Sequence, residues 1–67
     1  MLKIEFFIVP EGAAWKVRLH DQDSAPYQTL QEAIEAAIEE ARGCKKSGIS
    51  AEVFVPQAQG RWRSLYT

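Results

Sequence analysis

Cysteine and histidine are almost missing from this chain of 67 residues, where each occurs once. A lone Cys44 excludes an intramolecular disulfide framework, and Cys44 with His20 gives no metal-ligand spacing, so no metal site is expected and a reducing compartment is the natural setting. Long apolar runs are also missing. None approaches the roughly 20 residues that span a bilayer. Residues 1–12 (MLKIEFFIVPEG) alternate charged and apolar positions, unlike the unbroken apolar core of a secretory signal. A soluble cytoplasmic protein without membrane contact is therefore expected. Net charge is nearly absent, at -1, and an isoelectric point near 5.7 is poor for a nucleic-acid binder. With 46% hydrophobic residues and two tryptophans, the chain can form a core, and its length allows one domain, residues 1–67. A domain of this size buries only about 60% of its unfolded surface, so its stability is modest.

One helix is strongly marked. Leu30, Ala33, Ile34, Ala37, Ile38 and Ala41 fall on a single apolar stripe, with Gln31, Glu32, Glu35 and Glu39 on the polar side. Thr29 with Glu32 three residues later predicts a capping box at the start. At the far end Arg42 suits the negative pole of the helix, and Gly43 is expected to close it in the left-handed conformation. Residues 44–48 (CKKSG) then read as a connecting loop.

Strands flank this helix. Residues 3–9 and 14–20 are rich in β-branched and aromatic residues around a turn at 10–13, and residues 51–55 and 61–66 repeat the arrangement around 56–60. Residues 21–28 are polar, contain Pro26, and read as loop. The order ββαββ predicts an α+β domain: four antiparallel strands, in spatial order 2-1-3-4, with one helix packed on one face. Alternation then sorts the side chains. Leu2, Ile4, Phe6, Ile8, Trp15, Val17, Leu19, Ala51, Val53, Val55, Trp62 and Tyr66 are expected to face the helix. Lys3, Glu5, Phe7, Val9, Lys16, Arg18, His20, Glu52, Phe54, Arg61, Arg63 and Leu65 are expected on the open side.

That open side holds the candidate functional residues. Lys3, Lys16, Arg18, Arg61 and Arg63 against Glu5 and Glu52 make five bases to two acids, a local +3, while the helix carries -3. Cations interleaved with Phe7 and Phe54 are what a sheet platform for single-stranded nucleic acid uses, for phosphates and for base stacking. The same face has an ordinary reading, since long basic side chains commonly cover apolar neighbours on a solvated sheet. Phe7, Val9, Phe54 and Leu65 would also form an exposed apolar patch, and such patches meet a protein partner or a second copy of the chain. This second reading is preferred: a small non-enzymatic binding or assembly module, self-associating or binding a protein partner. His20 stands near Asp21 and Asp23 but has no nucleophile, and Cys44 beside Lys45 and Lys46 has neither a second cysteine nor a paired histidine. No catalytic residue, cofactor or small-molecule substrate is expected.

Trp15-Lys16-Val17 after a Gly-containing turn, the segment TLQEAIEAA from Thr29, the strand Glu52–Val55 and the closing GRWRSLY from Gly60 resemble a family of short bacterial domains, the domain-of-unknown-function family numbered 2188. The resemblance runs from Val9 onward and implies a hairpin, a helix and a closing hairpin, with no active site. The segment from Thr29 to Ala41 is also similar to the N-terminal domain of HicB-type antitoxins. That similarity implies, as a minor alternative, binding to a small ribonuclease toxin.

Overall fold

The computed structural model describes residues 3–67, so the expected core position of Leu2 lies outside the described residues. The chain forms strand β1 (Lys3–Glu11), β2 (Ala14–Leu19), a short β3 (Gln22–Asp23), helix α1 (Leu30–Lys46), β4 (Ser50–Pro56), a 3-10 turn at Ala58–Gly60, and β5 (Trp62–Tyr66). The class is α+β, with one α-helix against a mixed sheet ordered β3-β2-β1-β4-β5.

The four long strands take the expected order, but their directions do not. β1 and β4, at the centre, run parallel with Lys3 opposite Ser50 and Phe7 opposite Phe54. The reason is β3. The strand expected over 14–20 stops at Leu19, a tight reversal follows at His20-Asp21, and Gln22 and Asp23, expected to be loop, pair antiparallel with β2. That reversal turns the chain once more before the helix. It enters α1 from the opposite end of the sheet and returns to begin β4 alongside β1 in the same direction. His20 takes φ 59, a left-handed conformation uncommon for a non-glycine residue, and Trp15 and Tyr27 form a further bridge beyond it.

The helix starts as its sequence requires. The Thr29 hydroxyl accepts from the Glu32 amide at 3.1 Å, and the Thr29 amide donates to the Glu32 carboxylate at 3.3 Å, completing the capping box. Its end differs from expectation. Gly43 is inside the helix, which runs on through Cys44, Lys45 and Lys46, with Ser47 as C-cap and Gly48 at φ 81. The apolar face persists past Gly43, because Cys44 packs against the core, and this packing outweighs glycine's tendency to stop a helix. Lys45 and Lys46 occupy the last turn, where cations favour the helix dipole.

Two alanine substitutions separate these roles. Gly43→Ala is expected to stabilise the domain by about 0.5–1 kcal/mol, since helical alanine is favoured and the added Cβ meets nothing within 4 Å. Gly48→Ala is expected to destabilise it by about 1 kcal/mol, through a left-handed backbone rather than a clash. Urea denaturation gives both signs, and equal effects would contradict the helix end described here.

The core lies between α1 and one sheet face. Phe6 and Ile8 from β1, Val17 from β2, and Ala51, Val53 and Val55 from β4 meet Ala33, Ala37 and Ala41 of the helix, all buried. Ile4, Trp15, Leu19, Tyr27, Leu30, Ile34, Ile38, Cys44 and Tyr66 close its margin. Tyr66 receives the Lys45 ammonium over its ring, 4.6 Å from the centroid, tying the helix end to β5.

Candidate functional site: an aromatic cluster on the helix-free sheet face

The face away from the helix is built by the alternate residues of the same strands. Phe7 and Phe54 are directly opposite each other on the parallel pair β1 and β4. Their rings stack with centroids 4.9 Å apart and planes 13° apart. Trp62 completes a trio, edge-on to Phe7 at 5.0 Å and 77°. This is the offset and T-shaped geometry that aromatic quadrupoles favour. Phe7 and Phe54 are half-buried, while Trp62 remains 46% exposed. Val9 extends the apolar surface towards β2, where it is opposite Lys16.

Trp62 was expected in the core, and the register of β5 explains its position. Val53 pairs with Tyr66, but Phe54 pairs with Ser64, so the ladder skips Leu65. Beyond this bulge the alternation is inverted. Trp62 lies opposite Pro56 on the open face, and Arg63 lies opposite buried Val55, on the helix side. Leu65 is the bulged residue, 39% exposed, outside the aromatic trio. Of the four apolar residues expected to form the patch, Phe7, Val9 and Phe54 come together and Leu65 does not. Trp62 takes its place, and no residue pattern within the strand itself could have indicated the skip.

The basic character expected of this face is also revised. Lys3 is 2.6 Å from Glu52, Lys16 is 2.6 Å from Glu11, and Arg18 is 2.7 Å from Asp23. The Arg18 guanidinium grips Asp23 with two nitrogens, at 2.7 and 3.1 Å. Glu11 ends β1 and Asp23 lies in β3, in segments whose composition predicts turn and loop, so strand alternation over 3–9 and 14–20 does not count their charges on this face. With Arg63 on the other side and Arg61 outside β5, the face has three bases against Glu5, Glu11, Asp23 and Glu52, and no positive excess. Hydrogen bonding from Lys3, and then from Ser64, holds the Glu52 carboxyl below its ordinary range. Arg18 does the same for Asp23. Both acids stay charged through neutral pH.

His20 sits in the exposed two-residue turn before β3, and Cys44 is half-buried on the helix. Among the described residues, no group of three or more His, Cys, Asp or Glu side chains is placed to hold a metal ion. A shallow cleft of about 180 Å³ lies by Val17, Leu19, Gln22, Asp23, Ser24 and Glu40, sharing none of the aromatic residues. Among the described residues, no helix is long and apolar enough to cross a membrane.

Residues 6–67, from the middle of β1 to the end of β5, match a family model described as "Uncharacterized protein conserved in bacteria (DUF2188)". The chain belongs to the DUF2188 family. Comparison with curated proteins and with solved structures gave no match. Phe7, Phe54 and Trp62 all fall within the DUF2188 match, whereas Lys3 precedes it. The architecture therefore supplies this DUF2188 domain with a surface feature to interpret, an aromatic cluster ringed by internally neutralised charges.

Proposed function

We propose that this domain is a non-enzymatic assembly module that pairs with a second copy of itself through the helix-free sheet face. The observation that carries the reading is the trio of Phe7, Phe54 and Trp62, assembled outside the core on the side opposite the helix. An apolar cluster of this kind loses contact with water when covered, and two such faces can pack as stacked sheets about 10 Å apart. The surrounding bases support it as well. Each of Lys3, Lys16 and Arg18 already has a carboxylate partner, so closing the face does not strand three lone cations. For a domain this small, a partner also supplies stability by mass action.

Sedimentation or light scattering tests the reading. The unsubstituted domain is expected to be dimeric at concentrations on the order of 100 µM, and Phe54→Asp to be monomeric there with unchanged far-UV circular dichroism. A monomer before substitution, or a dimer that survives it, removes the proposal.

Stacked rings also receive nucleobases, which keeps single-stranded nucleic acid as the second reading. The pairing of Lys3, Lys16 and Arg18 counts against it, since phosphates would have to displace carboxylates. A gel shift with short single-stranded DNA or RNA that weakens steeply with salt would favour that reading.

A further inference from the structure

β5 closes one side of the sheet and presents an unpaired edge along Trp62–Tyr66. The opposite edge is blunted: β3 has only two residues, and its Asp23 is held by Arg18. β5 has neither device. It contains no proline or acid, and its bulge lies on the inner ladder against Val53 and Phe54. The hydrogen-bond phase of that ladder identifies what faces outward. The Gln57 amide donates to the Arg61 carbonyl at 2.7 Å. Bonded and non-bonded pairs alternate along an antiparallel ladder, so Arg63 bonds inward to Val55, and Trp62 and Ser64 direct their amides and carbonyls away from the sheet.

The side chains along this edge are sorted too. Arg61 is extended, at φ -86 and ψ 159, so Arg61 and Arg63, two apart, point to the helix side, with Trp62 and Ser64 on the other. Among the described residues, neither arginine has a carboxylate within ion-pair distance, whereas Lys3, Lys16, Arg18 and Arg42 each have one. Two arginines without acids thus lie beside a strand edge without a neighbour. A second copy is a poor occupant. The stretch from Arg61 to Tyr66 contains no acid, so two-fold pairing of β5 with itself gathers four arginines on one ladder.

We infer that β5 accepts an extended acidic segment of a different protein, which adds antiparallel as a sixth strand. Its main chain bonds to Trp62 and Ser64, its carboxylates meet Arg61 and Arg63, and its alternate apolar side chains lie beside Trp62. This is strand addition, in which the backbone supplies adhesion and alternate side chains supply selectivity. It uses the main-chain edge and the arginines of the helix side; Trp62 borders both contacts, but Arg61→Glu, Arg63→Glu leaves the aromatic trio intact and Phe54→Asp leaves the arginines intact, so the two can fail separately.

The probe is a capped ten-residue peptide of alternating glutamate and valine, with a lysine and valine peptide as its counterpart. Titration followed by amide hydrogen exchange is expected to show slowed exchange at Trp62 and Ser64 with the glutamate peptide. Two exposed arginine–carboxylate contacts favour it over the lysine peptide by about tenfold. In the double variant Arg61→Glu, Arg63→Glu the preference should reverse; both sites are exposed, so the fold is retained. No binding, binding without protection of those two amides, or equal affinity for both peptides would overturn the inference. Protection of the same amides by concentration alone would assign the edge to a second copy and overturn it equally.

Discussion

Replacing Phe6 with alanine should remove half or more of the domain's stability and sharply lower its urea midpoint. Phe6 is 2% exposed and lies on the central strand β1, pairing with Leu19 on one side and Val53 on the other. Truncating a buried phenylalanine costs about 3–5 kcal/mol, from lost burial and from the cavity left behind. At about 0.05–0.15 kcal/mol per residue, a domain of this length has only some 3–10 kcal/mol in total. The loss is a large share of the whole. Phe7 is one position away but half-buried on the open face, so Phe7→Ala should be markedly milder, retaining a cooperative urea transition. Circular dichroism with urea titration of both variants checks the contrast. If Phe6→Ala kept its midpoint, the assignment of the two faces would be wrong.

The second large effect is expected at Ala37. Ala33, Ala37 and Ala41 form an i, i+4, i+8 row on α1, each 0% exposed, against the sheet. Methyl side chains let the helix backbone approach the strands closely, so the interface has no spare volume for a larger residue. Ala37→Leu must push the helix outward or force strained rotamers, costing about 1–3 kcal/mol. In a domain of this size that lowers the melting temperature by roughly 5–20 °C. Ala36→Leu, at a half-buried neighbouring position, is the control and should change it little. A thermal melt in which both variants match the unsubstituted protein would contradict the close helix packing.

The parts of this fold written in local chemistry were readable in advance. Thr29 and Glu32 specify the helix start because both partners lie within one turn, and the alternating rows of β1, β2 and β4 specify a buried face because the period of a strand is fixed. What could not be read depended on distant events of one or two residues. The reversal at His20-Asp21 uses no glycine or asparagine, yet it sets the direction of everything that follows and makes the central pair parallel. The skip at Leu65 is a mismatch between two strands, visible only when both are present, and it moved Trp62 into the aromatic trio and Arg63 out of the basic face. The ion pairs failed for the same reason. Lys16 with Glu11 and Arg18 with Asp23 join neighbouring strands, and charges summed by element cannot show which acid stands beside which base.

The central parallel pair also has a consequence in time. Lys3 lies opposite Ser50, 47 positions further along the chain, and β1 has no other neighbour on that side. At about 5–20 residues per second of synthesis, roughly two to nine seconds separate the making of β1 from the making of its partner. Through that interval one edge of β1, with its apolar run from Phe6 to Val9, has no β4 to cover it, and uncovered strand edges of this composition adhere to other chains. Even with both strands made, so distant a pairing closes late, because loop entropy must be overcome before the contacts are won. The period of greatest hazard for this small domain therefore precedes its completion, and the residues at risk are the ones that become its centre.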